Sequence, residues 1–189
     1  MRRLLVAGAL LAMGAGPQTA DWPCVQRLVP TLAAGTLWPG APPAADWHAD
    51  PALATLVVQL TDRQMPIDDA LTRLRQFVAE TPADEKRAEL FAALVDGTNV
   101  ARGEAIGRLR EIDRRLRSLA DANARATTEL NGLPDATPAA ARDEVADRRR
   151  MIIREYDSIN RTVRYGCEIP GVYEARLGRF AQILAPTPP

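Results

Sequence analysis

Asn131-Gly132-Leu133-Pro134-Asp135-Ala136-Thr137 separates two runs of seam residues that mirror each other. Upstream, Ala105, Leu109, Ile112, Leu116, Leu119, Asn123, Ala126 and Leu130 are spaced by alternating fours and threes. Downstream, Val145, Arg149, Ile152, Tyr156, Ile159 and Val163 repeat the pattern. That spacing keeps a narrow seam on one side of a helix. The intervening Gly and Pro interrupt it. The stretch predicts an antiparallel helical hairpin with its turn at residues 131–137. If the turn centres on Pro134, Leu119 faces Arg149, Leu116 faces Ile152, Ile112 faces Tyr156, Leu109 faces Ile159 and Ala105 faces Val163. Asn123 and Arg149 make the seam polar toward the tip. Polar seam residues set register at a cost in stability, so the base is expected to pack better than the tip.

Moving outward, Asp50-Pro51 reads as an N-cap followed by Pro at the first helical position. Leu53, Leu56, Val57 and Leu60 then form an apolar face, broken at Met65-Pro66. Asp68 and Asp69 suit the positive end of a second helix, whose stripe is Ala70, Leu71, Leu74, Phe77 and Val78. Residues 51–80 thus hold two short helices, and residues 82–165 hold the hairpin. The stripe at Leu90 and Leu94 is out of phase with the later seam, and Gly97, Gly103 and Gly107 lie between. Each Gly costs up to about 1 kcal/mol inside a helix, so a break or kink is expected near Gly97 to Gly103. A C-terminal helix is expected over 171–185, with Val172, Tyr173, Leu177, Phe180, Ile183 and Leu184 inward. Pro186-Thr187-Pro188-Pro189 reads as a frayed tail.

The chain of 189 residues has room for one domain. Residues 1–20 read as an export signal: Arg2 and Arg3, an apolar run from Leu4 to Gly16, and small residues up to Ala20. That run is shorter than the roughly 20 residues of a membrane span, and no second apolar segment follows. The mature protein, residues 21–189, is expected to be periplasmic with no integral membrane segment. Two cysteines outside the cytoplasm are most simply one bond, Cys24–Cys167. Residues 21–45 contain Pro23, Pro30, Pro39, Pro42 and Pro43 among Trp22, Val25, Leu28, Val29, Leu32, Leu37 and Trp38. This composition predicts an extended arm lying in a groove of the helical body.

Chemistry is read mostly by exclusion. Without Arg2 and Arg3 the 24 basic residues fall to 22, against 24 acidic ones. No basic excess attracts nucleic acid. The single histidine, His48, has no nucleophile motif beside it. Two distant cysteines and one histidine do not make a zinc site, and no phosphate-cradling Gly motif follows a strand. No catalytic residue, metal or cofactor is expected.

Leu60-Thr61-Asp62-Arg63-Gln64 resembles the L-T-x-x-Q pattern of exported helical stress proteins and chaperones of the Spy and CpxP type. The resemblance covers five residues, in one copy where that family typically has two. It implies a helical-hairpin fold and binding of unfolded clients.

The resulting expectation is an all-α, exported, non-enzymatic accessory or scaffold protein. It would bind another envelope protein through its helical surface, arm or hairpin tip. Trp22, Trp38, Trp47, Leu133 and Arg149 are the candidate partner-binding residues. The alternatives are a periplasmic chaperone or stress sensor, and a small-ligand binder with a pocket between the arm, Trp38, Trp47 and the helices. Self-association into a homodimer stays open.

Overall fold

The structure, a computed structural model, describes residues 21–39 and 46–185. The expected export signal, the Pro42-Pro43 part of the arm and the Pro-rich tail lie outside the described residues. Among those described there is no strand, and five α-helices carry the fold: α1 (Pro51–Thr61), α2 (Ile67–Glu80), α3 (Asp84–Gly132), α4 (Ala139–Gly166) and α5 (Ile169–Leu184). The class is all-α, as the hairpin pattern requires.

The helix starts follow their local chemistry. Asp50 accepts hydrogen bonds from Ala52 N (2.9 Å) and Leu53 N (3.2 Å), and Pro51 opens α1. These bonds satisfy donors that the first turn leaves unpaired. Asp68 and Asp69 occupy the first turn of α2, and Asp84 and Glu85 that of α3.

The expected break in α3 does not occur. The helix is assigned without interruption over 49 residues, a spine of roughly 73 Å at 1.5 Å per residue. The change of phase reflects a change of partners. In its first half α3 buries Leu90, Phe91, Ala93, Leu94, Val95, Gly97 and Thr98, a wide surface covered by other elements. In its second half only a narrow row is buried, including Leu109, Leu116 and Ala126, because its partners there are α4 and, at the waist only, the arm. Gly97 is part of this change. A Cβ there would lie 2.8 Å from Val57 Cγ1 of α1, so α1 and α3 approach at a distance only glycine permits.

Two cores result. The base core contains Val57, Leu60, Leu74, Leu90, Phe91, Leu94, Leu177, Phe180 and Leu184, drawn from α1, α2, α3 and α5. A smaller core at the waist contains Trp22, Cys24, Ile106, Leu109, Leu116, Val163 and Cys167. Beyond it the hairpin of α3 and α4 projects. Its register differs from the one expected: Arg149 Nε donates to Thr127 Oγ1 at 2.9 Å, and Gly166 lies against Leu109. These partners are about two helical turns from Leu119 and Ile159. A regular heptad looks alike after a whole repeat, so only the loop fixes the register. That loop spans 133–138, because α3 continues through Asn131 and Gly132.

α5 starts at Ile169 and buries Pro170, Tyr173, Arg176, Leu177, Phe180, Ala181 and Leu184. Val172, expected inward, is half exposed. Arg176 takes an inward place. Its Nε donates to Leu60 O (2.7 Å) and its Nη1 to Met65 O (2.8 Å), so a cation from α5 caps the C-terminal end of α1. Burial lowers its pKa, and the field of Asp62 opposes that shift.

The glycines of α3 separate by environment. Gly97→Ala is expected to destabilise by about 1–3 kcal/mol, because the methyl group meets a stiff buried valine. Gly103→Ala, with nothing within 4 Å of its Cβ position, is expected to stabilise by about 0.5–1 kcal/mol through helix propensity. Urea unfolding midpoints of the two variants check both signs. Arg176→Met is expected to cost about 2–4 kcal/mol in the same assay, since it leaves two carbonyls without donors.

Candidate functional site

The arm is held by a polar ladder on α3. Asn99 clasps the backbone of Leu32 at both ends: Leu32 N donates to Asn99 Oδ1 (2.8 Å) and Asn99 Nδ2 donates to Leu32 O (3.0 Å). One turn on, the buried guanidinium of Arg102 donates to Val29 O and to Pro30 O (3.3 Å). Arg102 also binds Glu174 Oε1 of α5 through Nε (3.0 Å) and Nη2 (2.6 Å). Asp96, one turn earlier, accepts from Trp47 Nε1 at 2.9 Å. Residues 96, 99 and 102 share one face at a spacing of three. Asn99 and Arg102 grip main-chain atoms because the Pro-containing arm has no ladder partner of its own, whereas Asp96 holds the indole of Trp47.

Cys24 and Cys167 form the bond expected of them, with a Cα–Cα distance of 5.6 Å. It joins the arm to the junction of α4 and α5. Gln26 Nε2 reinforces it by donating to Cys167 O at 2.6 Å, and Arg110 pairs with Asp21 at 3.3 Å.

The candidate partner-binding residues fall into two groups. Trp22, Trp38 and Trp47 are buried. Trp22 Nε1 donates to Gln26 O (2.7 Å), and Trp38 stacks on Phe91 with ring centroids 4.7 Å apart. These indoles pack the arm and the base, and the place proposed for a ligand between Trp38 and Trp47 is where both are buried in the base core. Leu133 and Arg149 lie in the projecting hairpin, both half-buried. Near Leu133, Arg142 donates to Leu133 O (3.4 Å) and to Pro134 O, closing the tip.

Next along the hairpin is a cleft of about 250 Å³ lined by Leu119, Ala120 and Asn123 of α3 and by Ile152, Ile153 and Tyr156 of α4. Leu119, Ile152, Ile153 and Tyr156 are all only partly covered. Asn123 Oδ1 is buried without a hydrogen-bond partner. A carbonyl of that kind costs about 1–3 kcal/mol, which marks this level as the weak part of the seam.

Other candidate chemistry is absorbed by structure. Asp46 accepts from the backbone N of His48 (3.2 Å), an N-cap of the short turn Trp47–Ala49. In the L-T-x-x-Q segment, Leu60 is buried, Thr61 Oγ1 donates to Val57 O (2.8 Å) and Asp62 Oδ1 accepts from Gln64 N (2.8 Å). The segment ends α1 and forms the turn beneath Arg176. A second cavity, about 440 Å³, lies among Leu53, Leu56, Phe77 and Lys86. Glu89 raises the Lys86 pKa by accepting its hydrogen bond, so this amine stays protonated. Among the described residues no group of three or more His, Cys, Asp or Glu is placed to hold a metal, and no helix is long and apolar enough to cross a membrane.

Replacing both cysteines by serine is expected to lower the unfolding free energy by about 2–5 kcal/mol, because a very long loop is released in the unfolded chain. Asn99→Ala in the oxidised protein is expected to cost less, about 1–2 kcal/mol. Denaturant titration with and without reductant orders the two effects. No protein-family model, curated protein or solved structure matches the chain.

Proposed function

We propose that this is an exported, non-enzymatic helical adaptor that binds another envelope protein through the distal half of its α3–α4 hairpin. The observation that carries the reading is the contrast between the two halves of α3. At the base its apolar surface is covered by α1, α5 and the arm. Beyond the waist the same helix has one partner and an open apolar cleft at Leu119, Ile152, Ile153 and Tyr156. Partly exposed apolar side chains with a polar rim are what a partner helix covers. A polar edge is supplied by Asn123, while Arg115–Glu155 and Arg148–Glu129 bridge the two helices outside the cleft lining. The bond Cys24–Cys167 and the apolar run Leu4 to Gly16 support export to an oxidising compartment.

A photo-reactive amino acid at Ala120, an exposed position on the cleft, tests this in envelope extracts. One adduct of defined mass is expected, and none from the same probe at Val58, which is 63% exposed on the base. A smear of many adducts would favour a client-binding chaperone. Absence of any adduct at Ala120 and at Ile153 would remove the hairpin as the interaction surface.

A further inference from the structure

We infer that the arm is a self-closing strap. Its non-covalent clasps dock it on the helical body before the cysteines are joined, and the Cys24–Cys167 bond then locks a strap that is already shut.

The two cysteines are 143 positions apart in sequence. Bringing such distant points together in a flexible chain is entropically costly. The arm instead meets the body at a series of nearer points. Trp38 stacks on Phe91 at the end of the arm closest to α1 in sequence. Toward Cys24 there follow the clasp of Asn99 on Leu32, the bonds from Arg102 to Val29 O and Pro30 O, and the bond from Gln26 Nε2 to Cys167 O. Only a few residues separate each point from the next, so every contact made leaves a short loop for the following one to close. Between these points the arm is largely exposed: Pro30, Thr31 and Ala33 face solvent. The clasps, and not a continuous apolar contact, therefore hold its middle.

Both thiols are placed without help from the bond between them. On the arm, Trp22 is buried in the waist core and its Nε1 donates to Gln26 O, which folds residues 22–26 around Cys24. On the body, Cys167 N donates to Val163 O at 2.8 Å, so the last turn of α4 fixes its backbone. Gln26 Nε2 ties the two pieces together at 2.6 Å. Groups held in this way react as an intramolecular pair of high effective concentration. A small disulfide such as oxidised glutathione suffices as the oxidant. One S–S bond forms within the chain, one glutathione disulfide is cleaved, and the two cysteine protons pass to the two glutathione thiols released. The finished bond is buried with both cysteines, which shields it from external thiols.

Hydrogen exchange at the Trp22 indole of the purified protein tests the inference, because lifting the strap takes this N–H from Gln26 O to water. Trp22→Phe assigns the signal. With both cysteines replaced by serine, the indole is expected to stay protected at least about 100-fold relative to a free indole. In that background Asn99→Ala and, separately, Arg102→Met are each expected to lower the protection about tenfold. In the oxidised protein the same two substitutions are expected to leave it nearly unchanged, since the bond keeps the residues beside Cys24 in place. Circular dichroism establishes that the helical body is folded in each variant; if Arg102→Met unfolds it, Asn99→Ala carries the comparison. A Trp22 indole that exchanges at the free rate in the folded double-serine protein overturns the inference, because the bond alone would then close the strap. Protection that no folded clasp variant lowers overturns it as well.

Discussion

The bond between Cys24 and Cys167 sits where the molecule changes character. On one side of it α3 is wrapped by α1, α5 and the arm; on the other it has α4 alone. The proline-containing arm forms only one short 3-10 turn, Ala34–Thr36, so its hold on the body must come from elsewhere. The covalent tie fixes one end, and Asn99 and Arg102 fix the middle by bonding to carbonyls and an amide of the arm itself. With the arm in place, Trp22 and Trp38 complete the waist and base cores. Buried cations at two points, Arg102 and Arg176, serve as connectors between elements and not as reactive groups.

Stability is therefore concentrated in the base. Its helices meet at glycine-close contacts and are sealed by aromatic stacking. The distal hairpin is a two-helix projection with a polar seam. Such a pair buries less apolar surface per residue than a bundle, and an unsatisfied carbonyl at Asn123 lowers its stability further. A projecting element of low local stability is where binding and rearrangement are least costly.

Much of this was legible in the sequence, and the failures have physical causes. The hairpin, the N-cap at Asp50, the first-turn carboxylates Asp68 and Asp69, and the Cys24–Cys167 bond follow from spacing and local chemistry. The loss of phase near Gly97 looked like a break because periodicity reports which face is buried, not whether the helix continues. When a helix passes from several partners to one, its stripe narrows and turns while its backbone runs on. The register slipped by about two turns because heptads repeat and the sequence does not mark where α3 unwinds. The arm lies against the helical body as its apolar residues imply, and its indoles Trp22 and Trp38, candidates for a partner on residue type alone, are buried in that contact. Arg102 carried a usable signal: the fours-and-threes row extends back from Ala105 to residues 102 and 98, which puts an arginine in the seam. Arg176 likewise occupies the inward row of α5. Clasps such as Asn99 on Leu32 carry no sequence signature, since the groups bound are main-chain atoms.

The central claim is a rigid base bearing a less stable projecting hairpin. Native-state hydrogen exchange resolved by residue tests it most directly. The account predicts that amides of α3 around Leu90 to Arg102 exchange only through global unfolding. Those around Asn123 in α3 and Ile152 in α4 should exchange through a smaller, local opening. Equal protection along the whole of α3, or strongest protection near Asn123, would contradict it.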